Sequence, residues 1–329
     1  MPISSPRSLR YRNMKTGHES VLMDEVMEGL SIMPSDIVVD ATVGGAGHFK
    51  RMLAALGSDG IIIGIDADAG AITRAREVVT DDRRTDRPVV HLVEENFRNL
   101  ERILTRLTVK HIDKALFDLG WSGFQLSEGR GFSFQGDEPL LMTYGNPEAH
   151  SSAAELVNTL PEEELAKLIY VYGEERFARH IAKAICRRRS MNHIISTKEL
   201  VEAIEAGVPT WYKARRTHPA TKTFQALRIA VNDELGALEE GLKAAIGHLA
   251  DGGRIAVITF HSIEDRIVKS IFRDAVALGQ GSLVSKKVIV PSRTEIKRNP
   301  RARSAKLRLF EGNRSRETLR PLASTLLYA

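Results

Sequence analysis

The chain predicts an α/β fold, a Rossmann-like parallel sheet carrying an inserted all-helical domain, and three observations carry that prediction. Apolar runs near residues 37–41, 61–65, 88–93 and 115–119 alternate with helical periodicity near 48–56, 69–79 and 98–107, the rhythm of βαβ units. Between about residues 124 and 217 the strand rhythm stops and helical periodicity takes over. Beyond 217 it resumes, with a fifth strand at 255–260 and a helix at 264–273.

Each element has its own signal. Val21, Leu22, Val26, Met27 and Leu30 recur at helical spacing and place a helix before the first strand. In the insertion, Pro161 followed by Glu162, Glu163 and Glu164 is a helix start, proline suiting the first turn and acids the positive end of the dipole. Helices are expected over 161–172, 174–189 and 197–206, and one long helix over 221–249. Asp251-Gly252-Gly253 then turns the chain into Ile255-Ala256-Val257-Ile258-Thr259-Phe260. Strands at 286–290 and 306–310 are expected to close the sheet as an antiparallel pair. The division that follows is a basic flexible arm over 1–18, a core from 19–123 and 218–329, and an inserted helical domain over 124–217.

Length and composition bound the function. A chain of 329 residues accommodates one large domain with an insertion, and 43% hydrophobic with 27% charged residues is the balance of a soluble globular protein. No apolar stretch approaches the ~20 residues needed to span a bilayer, so no membrane partner is expected. The single cysteine, Cys186, excludes an internal disulfide framework and a cysteine-rich zinc site. None of the ten histidines forms H-E-x-x-H, and no metal is expected. The net charge of +5 is unevenly spread: Lys286 to Arg320 holds twelve Lys or Arg against Glu295, Glu311 and Glu317. Such a segment either contacts phosphates or is a solvated tail. Arg7, Arg10, Arg12 and Lys15 mark the first 18 residues, read as a flexible arm with an organelle transit peptide as the alternative. Cytoplasmic localisation follows from the first reading.

The chemistry is concentrated at strand ends. Asp40-Ala41-Thr42-Val43-Gly44-Gly45-Ala46-Gly47-His48 joins the first strand to a helix, and its glycines let backbone N–H groups approach a nucleotide-like ligand. Asp66, nineteen residues past Gly47, ends the second strand where an acid suits a ribose diol. The dinucleotide fingerprint G-x-G-x-x-G fails at Lys50, which disfavours a NAD-dependent dehydrogenase. Asp40 favours a ligand with a cationic amino group, pointing to S-adenosylmethionine. Asp40, Asp66, Asn96-Phe97 and Asp118 all fall where ligands of parallel sheets bind.

After the fourth strand comes Asp118-Leu119-Gly120-Trp121-Ser122-Gly123-Phe124-Gln125. A base amine has its lone pair delocalised into the ring, so a site that methylates it must accept hydrogen bonds from its N–H groups, which Asp118 can do and Ser122 can assist. Gly120-Trp121-Ser122-Gly123-Phe124 breaks the serine-nucleophile pattern at its last position. Trp121 and Phe124 either stack on an extruded base or pack between core and insertion. His218-Pro219-Ala220-Thr221-Lys222-Thr223-Phe224-Gln225-Ala226-Leu227-Arg228 opens the long helix, with Lys222 and Arg228 as candidate phosphate contacts. In Phe260-His261-Ser262-Ile263-Glu264-Asp265-Arg266, His261 is a candidate for substrate contact and proton transfer, or a structural hydrogen-bonding histidine.

Together these stretches closely resemble the ribosomal RNA small subunit methyltransferase H family, which uses S-adenosylmethionine to methylate N4 of a cytidine in small-subunit ribosomal RNA. The resemblance runs from Gly17-His18-Glu19-Ser20 through the glycine loop, the Asp118 motif, Arg130-Gly131-Phe132-Ser133-Phe134 and Tyr172-Gly173-Glu174-Glu175-Arg176-Phe177-Ala178 to Asn299-Pro300-Arg301-Ala302-Arg303-Ser304-Ala305-Lys306. It implies a class I methyltransferase sheet and an insertion that helps hold RNA. It implies a cofactor site lined by Ala46, Gly47, His48, Asp66, Phe97, Asp118 and Gln125, joined by Gly44 and Gly45, with Phe97 against the adenine. Arg301, Arg303 and Lys306, helped by Arg187-Arg188-Arg189, would hold the RNA backbone.

Three departures set this chain apart from the family pattern. Gly123 replaces the second of two serines, Phe124 stands where proline is common, and Pro139-Leu140-Leu141-Met142-Thr143-Tyr144 replaces Pro-Leu-Asp-Met-Arg-Met. Losing a charged hydrogen bond of ~1.5–3 kcal/mol at Leu141 or Thr143 would slow the enzyme roughly ten- to a hundredfold, or redirect it. The expectation is therefore a cytidine N4-methyltransferase acting on small-subunit ribosomal RNA or the assembling subunit. The alternative is a weakened or retargeted paralogue, an assembly factor that binds cofactor and RNA.

Overall fold

Four apolar segments, Ile37–Asp40 (β1), Ile61–Asp66 (β2), Val89–Glu94 (β3) and Ile112–Asp118 (β4), form parallel strands in a computed structural model that describes residues 20–119, 129–144 and 152–313. β1 lies between β2 and β4, in register Val39 to Ile63 and Val39 to Ala115. Leu249–Thr259 (β5) extends the sheet parallel to β4, and Lys306–Gly312 (β7) and Gly281–Leu283 (β6) close it antiparallel, in the order β3-β2-β1-β4-β5-β7-β6.

Helices cover both faces because nearly every strand residue is apolar on both sides. Met23–Leu30 (α1), Gly47–Ala55 (α2) and Ala69–Asp81 (α3) pack on one face around Phe49, Met52 and Leu30. Leu100–Arg106 (α4) packs on the other around Phe117 and Ile103. The insertion contains Ala153–Thr159 (α5), Glu162–Gly173 (α6), Ala178–Arg189 (α7), Thr197–Ala206 (α8) and Thr210–Lys213 (α9). Ser196 and Glu199 form a reciprocal capping box at the start of α8. Phe132, Leu165, Ile169, Ile181 and Leu200 fill a separate apolar cluster here.

Three expectations change. The helix over 221–249 is two helices, Thr221–Asn232 (α10) and Glu234–Gly247 (α11), parted by Asp233 in a left-handed conformation at φ 46° and ψ 48°. Phe224, Leu227 and Val231 of α10 pack in the insertion's cluster, whereas Leu238, Leu242 and Ala245 of α11 pack on the sheet. One straight helix cannot face both. The helix expected from 174 starts at Ala178, because Glu174 ends α6 at φ 49°. Residues 286–290 are not a strand: Ser285 Oγ donates to the Lys287 carbonyl, and Ile289 makes a single bridge to Leu307, so β6 is the outer edge. Ser262–Ala277 (α12) and Arg293–Arg298 (α13) complete the helices, and α12 joins the cluster around Phe117 through Val268 and Phe272. No helix among the described residues is long and apolar enough to cross a membrane.

Candidate active site

β1, β2 and β4 end side by side at Asp40, Asp66 and Asp118, and the turn from β1 into α2 wraps over them. Gly44 and Ala46 are left-handed, at φ 51° and 60°, which brings the turn back over the strand ends. At Gly47 a Cβ atom would lie 2.0 Å from Ser20 Oγ, so a larger residue where α2 begins would displace the Ser20 side chain. Asp66 organises this turn: its carboxylate accepts from the Gly44 N–H at 2.8 Å and the Asp68 N–H at 2.9 Å. Burial pushes Asp66 up to about 6. Arg74 Nε donates to the Gly44 carbonyl at 3.0 Å, tying α3 to the same turn.

Asp40 is fully buried, and one of its oxygens has no hydrogen-bond partner. Burial pushes its pKa up to about 7, against the pull of the His48 charge and the Thr42 N–H. His48 Nδ1 lies 3.4 Å from Asp118 Oδ2 and Nε2 lies 3.1 Å from the Val21 carbonyl. Burial opposes a charge on this ring, but Asp118, Asp40 and Val21 outweigh it and raise its pKa. Asp118 is held from the other side too, its N–H donating to Thr42 Oγ1 at 2.7 Å. The result is an acidic rim around one imidazole, suited to a ligand that brings a cation and hydrogen-bond donors.

Phe97 follows β3 in a 3-10 turn capped by Asn96, which accepts from the Arg98 N–H. Its ring meets Phe117 edge-on at 5.5 Å and packs over Gly241. It is half-buried, which suits one face against a flat ring.

Beyond Asp118, Leu119 borders a cavity of about 180 Å³ walled by Phe134, Phe224, Phe260, Gln225, His261 and Glu264. The end of β5 builds its polar side through a reciprocal capping box. His261 Nδ1 accepts from the Glu264 N–H at 3.3 Å, while Glu264 Oε2 accepts from the Phe260 N–H at 2.8 Å and the His261 N–H at 3.2 Å. A neutral His261 therefore carries its proton on Nε2, which lies 3.0 Å from Glu264 Oε1. Arg228, almost fully buried, also lines the cavity and pairs with Glu234 at 2.7 Å, and the Tyr144 hydroxyl donates to Glu234 at 3.1 Å. Glu234, His261 and Glu264 bring ligand atoms within 4.8 Å of one another, but Arg228 and Tyr144 already engage Glu234, and backbone N–H groups engage Glu264.

Several expected RNA contacts are used internally instead. Arg228 is 3% exposed, which leaves no surface for a phosphate. Lys222 Nζ donates to the Glu174 carbonyl at 2.6 Å and closes the end of α6. Arg189 donates to the Val157 and Leu160 carbonyls, both at 2.7 Å, holding the end of α5, and Arg188 pairs with Glu199. Lys306 and Arg308 share Asp265. Arg301 and Arg303 are exposed, as a phosphate contact requires. Trp121, Ser122, Gly123, Phe124 and Gln125, and the arm over 1–18, lie outside the described residues.

In the altered 139–144 stretch Leu140, Met142 and Thr143 are buried, and the Thr143 hydroxyl lacks a partner among the described residues. Thr143 is buried beneath Arg130, which donates to its carbonyl at 3.3 Å and lies 3.8 Å from Asp68, and Tyr144 stacks on Phe132 at 5.4 Å. Arg74 and Glu234 were not singled out by sequence, and Thr42 and Arg130 stood in quoted motifs without a role. Their partners Gly44, Tyr144, Asp118 and Thr143 lie elsewhere in the chain, so the motifs alone do not give the roles.

Comparison with known proteins bears on this geometry. Residues 15–313 match the sequence model of the MraW methylase family. Ribosomal RNA small subunit methyltransferase H of Brevibacillus brevis is 46% identical, the match covering 89% of this chain and 97% of that relative. The proteins of the same name from Geotalea daltonii and Carboxydothermus hydrogenoformans are each 44% identical, covering 89% and 91% of this chain and 98% of each relative.

Proposed function

Because the chain belongs to the MraW methylase family, we propose that it transfers a methyl group from S-adenosylmethionine to N4 of a cytidine in small-subunit ribosomal RNA. The observation that best supports this reading is the aromatic-walled cavity directly beyond Asp118, which suits one extruded pyrimidine. The residues present fit the cofactor. Asp40, with a buried oxygen lacking a partner, would hold its amino group, the Gly44–Gly47 turn its carboxylate, Asp66 the ribose diol, and Phe97 the adenine. When bound, S-adenosylmethionine supplies an electrophilic methyl group on a cationic sulfur.

The protein's own contribution is positional. Phe134, Phe224 and Phe260 hold the base in place and exclude water. Asp118 accepts a hydrogen bond from the exocyclic amine, which directs the nitrogen lone pair and accommodates the positive charge that grows as the new N–C bond forms. His48 and Thr42 fix the orientation of Asp118. His261 and Glu264, locked together by their capping box, form the polar side of the cavity against the base. Action on ribosomal RNA places the protein with assembling small subunits in the cytoplasm, a reducing setting that suits the unpaired Cys186.

Asp118→Asn keeps the shape and removes the carboxylate. Turnover on unmodified small subunits is expected to fall about a hundredfold or more, with cofactor affinity, read by calorimetry, changing less than about tenfold. Turnover within about threefold of wild type would remove Asp118 from the reaction.

A further inference from the structure

The inserted domain carries an exposed tryptophan beside cations that no carboxylate pairs with among the described residues. Trp211 is 55% exposed, yet its indole is packed on three side chains. The Arg176 guanidinium lies 4.7 Å from the indole centroid, and Phe177 and Tyr212 meet the indole at steep angles at 6.0 and 5.7 Å. Tyr212 is anchored from beneath, its hydroxyl donating to the buried Glu175 at 2.6 Å, and Glu175 also accepts from the Phe177 N–H at 2.9 Å. Arg215 lies over Tyr212 at 5.0 Å, and Lys213 and Arg216 are exposed beside it. Among the described residues no carboxylate pairs with Arg176, Lys213, Arg215 or Arg216. Holding an indole exposed next to unpaired cations does nothing for the domain's own core. It is the arrangement that binds unpaired nucleotides, with an aromatic face for a base and cations for the flanking phosphates.

We propose that Trp211, backed by Arg176 and flanked by Lys213, Arg215 and Arg216, is a stacking platform for an unpaired nucleotide of the substrate RNA near the one that enters the cavity. This rests on the reading of the substrate as RNA. The two segments that carry the platform run directly into the walls of the cavity. Glu174, two residues before Arg176, receives hydrogen bonds from Ser262 and Arg266 beside His261. His218, seven residues after Trp211, stacks at 4.7 Å on Phe134, which lines the cavity. A strand held at the platform is thereby directed toward the cavity mouth, and the substrate's affinity is divided between the base in the cavity and a neighbour on Trp211.

The test uses the full-length protein with Trp211→Ala, Trp211→Phe and the double substitution Arg215→Glu and Arg216→Glu. Each variant is measured for cofactor affinity, for binding to unmodified small subunits, and for binding to a short single-stranded RNA. An unchanged circular dichroism spectrum and urea midpoint certify the fold of each variant, the insertion included, and cofactor affinity equal to wild type shows the sheet's site intact. Trp211→Ala is expected to weaken binding to both RNAs by about tenfold or more, and Trp211→Phe to retain most of it. The double substitution is expected to flatten the dependence of affinity on salt. Unchanged RNA affinity in Trp211→Ala overturns the platform. So does a loss confined to whole subunits, which would make the patch a contact for a ribosomal protein. RNA binding that depends on Trp211 without methyl transfer would refute the proposed chemistry and leave the platform standing.

Discussion

Asp40 carries the clearest pH signature in the molecule. Its carboxyl ionises near pH 4 in an unfolded chain and near 7 in the folded one, because burial disfavours the charge. The folded state thus holds its proton longer. This group favours folding below about pH 4, and that contribution is lost as pH rises through 7, with Asp66 losing its own by about 6. A cationic amino group selects the ionised form of Asp40. Affinity for S-adenosylmethionine is expected to rise with pH, by up to about tenfold per unit, and to level off above 7. Calorimetry across about pH 5.5 to 8 reads this directly, and Asp40→Asn should remove the rise around pH 7 while weakening binding, leaving the rise around 6 that belongs to Asp66. A flat wild-type profile would remove Asp40 from the cofactor site. The acids at the strand ends were legible in sequence because each terminates an apolar run. The partners of Lys222 and Arg228 were not legible, because a cation's identity says nothing about what it pairs with: Lys222 donates to the Glu174 carbonyl and Arg228 pairs with Glu234.

At the scale of elements, the contact between α6 and α10 shapes the cavity. Gly173 at the end of α6 lies so close to α10 that a Cβ atom would fall 2.5 Å from the Lys222 carbonyl oxygen. Gly173→Ala forces these helices apart and shifts Phe224, Gln225 and the cavity wall with them. Stability should fall by about 1–3 kcal/mol, read as a lower urea midpoint, with turnover suffering more than cofactor affinity because the sheet is untouched. An unchanged midpoint would show that the helices tolerate separation. Helical periodicity predicted both α10 and α11 yet missed the break between them. The apolar stripe continues across Asp233 while the surface it faces changes from the insertion to the sheet, a switch that only tertiary packing reveals. The sheet's parallel half was legible for the opposite reason, since each strand is apolar on both faces and bounded by turns. Its antiparallel edge was half legible: β7 stands out as an apolar run, whereas β6 has three residues and no pattern to read.

For the whole molecule, the proposed reading gives two surfaces of opposite character: buried acids at the ends of β1, β2 and β4 for the cationic cofactor, and basic or aromatic groups on the insertion and near β7 for RNA. Opposite electrostatic preferences would keep the cofactor's cationic end and the RNA phosphates apart. The family pattern was legible across nearly the entire chain, and membership shows through 46% identity with a ribosomal RNA small subunit methyltransferase H. The consequence of the Leu141 and Thr143 departures was not legible. The structure shows Thr143 buried with its hydroxyl lacking a partner among the described residues, and Tyr144 bonded to Glu234. Neither residue lines the cavity beyond Asp118, so the most direct measurement is of the product. The purified protein is incubated with methyl-labelled S-adenosylmethionine and small ribosomal subunits that lack the modification, and the RNA is digested to nucleosides. Label in N4-methylcytidine is the expected result. Absence of label, with cofactor and RNA binding both measurable, would contradict it and leave an assembly factor that binds both without chemistry.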